Sequence, residues 1–344
     1  MTAPLVSVIV PMYKTEPFIK ECAVSLTKQT LRDIEIIFVN DGSPDQSGRI
    51  AEQFAAEDAR IRVIHKENGG LSSARNAGIK AARGRYIGFA DGDDYVTETM
   101  FERLYEEAEK NRLDIAGCGY YKETPSKKRT YMPPSIPAGR VFTADEMTAL
   151  LTRAHEHRFI WYVWRYIYRR ESLQGLLFHE DIRFAEDSPF NLAAFRQAAR
   201  IKVIDEGLYI YRENPQSLTE TPFKPRLDQE LQKQYKAKMA FYEANGLTDA
   251  CRSDIDTYLC KHQIPMLIAN ACAAPQPSHQ ITAHIGRILT YDMVKTAVRR
   301  TPCRHKQLLA GERVVLGLCK MRLPLLLHAF FERKSKEKGS AEGA

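Results

Sequence analysis

VSVIVPMY, residues 6–13, is an apolar run of strand length that closes on a proline and an aromatic residue, and a helix-like stretch from Thr15 to Gln29 follows it. The same alternation continues outward. IEIIFVN (34–40) is a second run, and SPDQSGRIAEQFAAE (43–57) reads as a helix with Ser43 as cap and Pro44 at its first position. IRVIHKE (61–67) is a third strand, followed by the helix LSSARNAGIKAARG (71–84). RYIGFAD (85–91) is a fourth, followed by the amphipathic helix TETMFERLYEEAEKN (97–111), and DIAGCGYY (114–121) is a fifth. Short apolar strands alternating with helices predict an α/β fold with a mainly parallel sheet covered on both faces.

After residue 122 the pattern loosens. TPSKKRTYMPPSIPAG (124–139) is Pro-rich and basic and reads as a surface loop. WRYIYRR (164–170) and IKVIDEGLYIYRE (201–213) read as further strands with a helix near 189–199 between them. Beyond Lys224 the text is helical, with helices predicted near 225–245, 250–273 and 280–298.

The chain has 344 residues and a formal charge of +7, unevenly placed. Residues 299–344 hold eleven Lys/Arg against four Glu, so residues 1–298 balance at 39 against 39. The excess is a basic tail, not a basic protein. Seven cysteines without a C-x-x-C pair fit reduced thiols, not a disulfide framework or a zinc knuckle. MTAPLVSVIVP has no basic n-region and too short an apolar run for a signal peptide or a span, so a cytoplasmic protein is expected.

Ligands of open parallel sheets bind outside the carboxyl ends of the strands. Those ends carry Pro11 and Tyr13, then Asn40 and Asp41, then Lys66 to Gly70, then Asp91 to Asp94. No G-x-G-x-x-G follows the first strand and no G-x-x-x-x-G-K-[ST] occurs, so a nucleotide would not sit in the usual phosphate-cradling loop. A diphosphate still needs its charge neutralised. A hard divalent cation does this by bridging phosphate and carboxylate oxygens, and D-x-D with a flexible Gly92 lets the oxygens converge on one ion. The competing reading of DGDD is an Asx-rich turn capping the next helix. His155-x-His157 has no third ligand in view and reads as solvated helix.

VSVIVPMYKTE, FVNDGSPD, ENGGLSSARNAGIKAARG and YIGFADGDDY, in this order and spacing, resemble the family 2 glycosyltransferases of the GT-A fold. The resemblance implies a Rossmann-like catalytic domain over 1–220, with 1–122 as nucleotide-sugar half and 123–220 as acceptor half. A helical region (221–300) and a basic amphipathic tail (301–344) follow. Pro11, Tyr13 and Glu16 would wall the nucleoside pocket, and Asp41 would hydrogen-bond uracil or ribose, or else cap the next helix. Asn68, Gly69 and Arg75 would face the diphosphate or the sugar, Arg75 having a solvated helix face as its alternative. Asp91, beside Gly92, would contact sugar or ribose, Asp93 would hold Mg²⁺ or Mn²⁺, and Asp94 would share the metal or orient the donor.

RFAEDSPF (183–190) resembles the family's acidic pair, which implies Asp187 as the base, with Glu186 beside it. An ordinary helix start with acids suited to the dipole is the alternative. Trp164 and Arg165 match an acceptor-side segment, with Arg165 where a Lys is usual. Tyr211, Arg212 and Ser217 would close over the donor diphosphate, with aromatic packing as the alternative for the tyrosines.

The expected activity is inverting, metal-dependent sugar transfer from a UDP-sugar to a glycan or lipid-linked acceptor in surface polysaccharide biosynthesis. The rival readings are a nucleotidyl- or polyol-phosphate transferase on this fold and a non-catalytic nucleotide-sugar-binding subunit. GERVVLGLCKMRLPLLLHAFFERKSKEK (311–338) is too interrupted to span a bilayer and fits peripheral contact with an anionic inner membrane face, or a helix docked on the protein. Nucleic acid is not an expected partner, since aromatics are not interleaved with the cations. The region 225–298 packs on the catalytic domain or on a second copy in a homo-oligomer.

Overall fold

The computed structural model describes residues 3–214, 221 and 223–342 of the chain. It divides into two compact units, Met1–Ser217 and Leu218–Ala344. In the first, β1 (Val6–Met12), α1 (Glu16–Thr27), β2 (Ile34–Asp41), α2 (Ser47–Glu57), β3 (Ile61–Lys66), α3 (Leu71–Ala81) and β4 (Tyr86–Phe89) alternate as the apolar runs predict. Every residue of β1 and β2 is buried, because helices cover both faces of a parallel sheet. That is why these strands read as continuous apolar runs.

β5 (Tyr95–Val96), α4 (Met100–Asn111), β6 (Ile115–Glu123), β7 (Arg129–Met132), β8 (Val141–Thr143), α5 (Ala144–Leu151), α6 (Ala154–His157), β9 (Tyr166–Arg169), α7 (Asp187–Gln197) and β10 (Arg200–Arg212) complete the unit. The ten-stranded sheet runs β3-β2-β1-β4-β9-β6-β10-β5, with β7 on β6 and β8 on β10. Its first four strands are parallel, and β9 enters antiparallel between β4 and β6. Strand order reverses at β1, which lies between β2 and β4. A crevice therefore opens outside the carboxyl ends of these strands.

Two local expectations are corrected. The second helix starts at Ser47 and not at Pro44, because Asp45 accepts from the Ser43 hydroxyl at 2.5 Å and the Ser47 N–H at 3.1 Å, folding 43–46 into a turn. The basic segment after Thr124 is not all loop, since Arg129–Met132 pairs with β6 as a hairpin arm.

The second unit is helical: α8 (Leu227–Ala244), α9 (Thr248–Tyr258), α10 (Ile264–Cys272), α11 (Ser278–Ile288), α12 (Asp292–Arg300), α13 (Ala310–Lys320) and α14 (Pro324–Glu342). A π-turn, Leu259–Gln263, joins α9 to α10 just before Pro265. Pro265 has no N–H for the Lys261 carbonyl, so the ladder widens there. Pro324, expected to break a helix, instead opens α14 at its first position, where a missing N–H costs nothing.

Candidate active site

The loops after β1 and β2 are laced together. Lys14 N–H donates to Ser43 Oγ at 2.7 Å, Thr15 N–H to Ser47 Oγ at 3.0 Å, and Glu16 N–H to Asp45 Oδ2 at 3.0 Å. Glu16 Oε2 in return accepts the Gln46 N–H at 2.9 Å. Glu16 thus holds the start of α2 and does not wall a pocket. Burial alone would raise the Asp45 carboxyl, but donors from Ser43, Ser47 and Glu16 hold it below its ordinary range. Pro11 is buried inside β1, whereas Tyr13 stands 47% exposed at the rim.

Asp41, at the end of β2, is spent on the neighbouring turn. Its Oδ1 accepts from Lys66 Nζ at 2.7 Å and Gly69 N–H at 3.0 Å, and its Oδ2 from Gly70 N–H at 2.8 Å. Asn68 Nδ2 donates to the Asp41 carbonyl at 2.9 Å. Gly70 holds φ at +91°, a conformation open to glycine. Asp41 is not a helix cap: in this structure it staples the Asn68–Gly70 turn to β2.

At the end of β4 the charges lie differently. Arg75, 1% exposed, projects from α3 into three carboxylates. Nη2 donates to Asp91 Oδ1 at 2.9 Å, and Nη1 to Glu186 Oε1 at 2.7 Å and Asp187 Oδ1 at 2.6 Å. Both terminal nitrogens are therefore engaged by carboxylates inside the protein, and Arg75 is not a solvated helix residue. Burial alone would lower its hold on a proton, but Asp187, Asp91 and Glu186 more than reverse this.

One cation cannot neutralise three carboxylates. Burial, together with Glu186 and Asp91, pushes the Asp187 carboxyl up to about 8 against the pull of Arg75. Its other oxygen accepts the Val163 N–H at 3.0 Å. Ala185, two residues ahead, holds φ at +55°, which costs a non-glycine residue about 1 kcal/mol and turns the chain into the acidic pair.

Ser72 and Asn76 flank Arg75 on the same face of α3. Ser72 Oγ donates to the Ile182 carbonyl at 3.3 Å, and Asn76 Nδ2 to the Phe178 carbonyl at 3.0 Å while its Oδ1 accepts the Phe178 N–H at 2.8 Å. Both were passed over in the sequence. Their i, i+3, i+4 spacing was the available signal, a polar stripe on a helix otherwise meant for the core.

Within DGDD, Asp91 is part exposed, Asp93 is part buried and Asp94 is buried. Asp94 Oδ2 accepts from Tyr209 Oη and Oδ1 from the Arg212 N–H, both at 2.8 Å. Burial and the charges of Asp93 and Asp91 push its carboxyl far above the ordinary range, while the Arg212 N–H and Tyr209 hydroxyl pull it down. Among the described residues Asp93 has Asn214 Nδ2 at 3.5 Å from its Oδ2, and burial with Asp91 beside it pushes its carboxyl up. A Cβ on Gly92 would lie 3.1 Å from the Pro11 carbonyl, so glycine lets this turn sit close against β1. Among the described residues no three His, Cys, Asp or Glu side chains are grouped to hold a metal, the α6 histidines included. The carboxylate oxygens do fit a hard cation of the kind that takes one or two protein carboxylates and fills its shell from substrate phosphates. Asp93 and the oxygen of Asp91 turned from Arg75 would hold it.

The acceptor-side expectations are corrected. Trp164, 2% exposed, stacks between Tyr209 at 4.1 Å and Tyr162 at 4.7 Å, and Arg165, 3% exposed, gives its guanidinium to the Cys118 carbonyl at 2.8 and 2.9 Å. Both are interior groups. Tyr211 extends the aromatic stack, 6.1 Å from Trp164. Arg212 pairs with Glu21 at 2.6 Å and lies over the Phe18 and Tyr95 rings, so it braces α1 and β5. Ser217 lies outside the described residues. Tyr209, the other tyrosine of the Y-x-Y in β10, takes the aromatic-packing alternative: it connects the stack to Asp94 and accepts the Asp91 N–H at 3.0 Å. Its alternation with Tyr211 along β10 put it on the inner face.

Residues 7–177 match the family described as glycosyl transferase family 2. The chain is 65% identical over 343 residues to the uncharacterized glycosyltransferase EpsJ of Bacillus subtilis (strain 168), covering 99% of each. It shares the fold of S. aureus TarS 1-349, solved in complex with UDP-GlcNAc, with a TM-score of 0.59, 19% identity and coverage of 97% and 92%. It likewise resembles the mannosyltransferase PcManGT from Pyrobaculum calidifontis, solved with GDP-Man and Mn²⁺, with a TM-score of 0.53, 15% identity and coverage of 94% and 87%. The fold is GT-A, and the chain belongs to glycosyl transferase family 2: it is a glycosyltransferase.

Proposed function

We propose that this enzyme transfers a sugar, with inversion, from a UDP-sugar to a hydroxyl of a glycan or lipid-linked acceptor in surface polysaccharide biosynthesis. The observation that carries the reading is the Arg75 node, which joins Asp91 at the strand-end crevice to Glu186 and Asp187 from a segment over 90 positions away. Asp187 takes the acceptor proton as the acceptor oxygen bonds to the anomeric carbon. The bond from that carbon to the diphosphate oxygen breaks in the same displacement, which inverts the centre. A carboxyl held near 8 is a stronger base than an ordinary carboxylate and is matched to a hydroxyl proton at neutral or mildly basic pH. Glu186 and Arg75 orient it. When bound, Mg²⁺ or Mn²⁺ at Asp93 supplies positive charge to the leaving diphosphate. Solved fold neighbours that carry UDP-GlcNAc, or GDP-Man with Mn²⁺, support a nucleotide-sugar donor in the crevice.

The test is a panel of UDP- and GDP-sugars, assayed for nucleoside diphosphate release with and without Mn²⁺ or Mg²⁺ and with lipid-linked acceptors. Metal-dependent release from a UDP-sugar, with the opposite anomer in the product, is expected. Undiminished transfer by Asp93→Asn and Asp187→Asn would sink the mechanism.

A further inference from the structure

α14 meets the rest of the second unit through one face only. Leu327 and His328 are buried, with His328 Nδ1 2.9 Å from Thr282 Oγ1 on α11. The opposite face of the same turn is open: Leu325 is 67% exposed and Leu326 51%, and Met321 at the end of α13 is 61% exposed. The chain turns between them at Arg322, where φ is +53°. Two leucines and a methionine thus crown a single corner.

The cations that flank Met321 in sequence, Lys320 and Arg322, also line a cavity of about 530 Å³, together with Lys295, Arg299 and Asp292. Asp292 pairs with Lys295 at 2.9 Å and is itself nearly fully exposed. Among the described residues no salt bridge or side-chain hydrogen bond engages Arg299, Lys320 or Arg322. A cavity of mixed lining with three unengaged cations at its edge is open to an anion, and the apolar corner beside it has no polar partner to satisfy.

We propose that the α13–α14 corner and its cationic cavity are a docking surface for an anionic lipid bilayer. The cavity takes a headgroup phosphate while Met321, Leu325 and Leu326 enter the interfacial region. Charge complementarity selects this occupant: the cations favour a negative surface, and the apolar residues among them add the burial that a soluble anion does not offer. No helix of the described residues is long and apolar enough to cross a membrane, so the contact is one of surface residence. The inference stands apart from the identity of the donor sugar.

The full chain is floated with vesicles of phosphatidylcholine alone or mixed with phosphatidylglycerol. Binding to the mixed vesicles only, weakened by salt, is expected. Lys320→Gln with Arg322→Gln lowers it about thirtyfold, the worth of two near-surface cations. Leu325→Ser with Leu326→Ser lowers it about tenfold. These positions are exposed, and unchanged melting and unchanged diphosphate release from soluble donor verify folded variants. No binding to mixed vesicles, equal binding to neutral ones, or binding indifferent to both double variants overturns the proposal. So does loss of self-association in those variants without loss of a vesicle interaction, which would make the corner a contact between copies. Binding of inorganic phosphate by the cavity without vesicle binding would also overturn it.

Discussion

Two strand ends in the same sheet carry aspartates a sequence reader would treat alike. At the end of β2, Asp41 receives two backbone N–H groups and an ammonium, and its charge is fully answered within the fold. At the end of β4, Asp91 of DGDD and the Glu186–Asp187 pair of the 183–190 segment share one buried guanidinium, with Asp93 and Asp94 close by in sequence. The first arrangement is a staple. The second has surplus negative charge: burial and neighbouring carboxylates push the carboxyls of Asp94 and Asp187 up, and among the described residues Asp93 has one long contact, to Asn214. Carboxylates answered by the fold build structure, and carboxylates left in excess are free for chemistry.

The strongest way to break this contrast is Asp187→Asn, which keeps the Arg75 contact but removes the base. Turnover should fall about 10³–10⁴-fold with folding intact, as read by transfer assays beside a thermal melt. Arg75→Met comes next, because it leaves buried carboxylates without their cation. A loss of about 3–5 kcal/mol by denaturant unfolding is expected. If the fold survives, the acidic limb of kcat/KM, set near 8 by Asp187, moves alkaline because Arg75 no longer pulls it down. In the natural chain kcat/KM should rise with pH through that limb, since the base acts only after losing its proton.

Asp93→Asn should cost about 10²–10³ in turnover and abolish the response to added Mn²⁺ while the melting temperature holds. Asp41→Asn sharpens the contrast from the other side. Replacing one accepting oxygen with an amide set against N–H donors should cost about 2 kcal/mol of stability, with turnover reduced only as far as the turn loosens. If Asp41→Asn melts normally yet loses turnover as deeply as Asp93→Asn, the division between the two ends collapses. Asp94→Asn should have the smallest effect, within about 1 kcal/mol and with little change in turnover, because burial and its acidic neighbours push its carboxyl toward the neutral form that an amide mimics.

The strand–helix alternation up to residue 122 and the crevice at the strand ends were legible in one dimension, whereas the meeting of DGDD with the 183–190 acids through Arg75 was not. Alternation of buried runs with amphipathic ones is a local signal, and the strand-end rule follows from it. Residue roles were less legible. Glu16, Asp41, Arg75, Asp94, Trp164 and Arg165 are polar or aromatic groups at the right edge, yet each is answered by a partner that lies from 25 to 118 positions away in the chain.

The sequence by itself determined the fold class, the family and the set of residues from which a site would be built, because periodicity and motif spacing are carried by neighbours along the chain. Tertiary structure alone decided which of those residues remain chemically free. An arginine reads the same whether it faces a phosphate or three buried carboxylates. The count of donors around each charge is set by segments that meet only on folding, and that count separates Asp93 and Asp187 from the aspartates that hold the fold together.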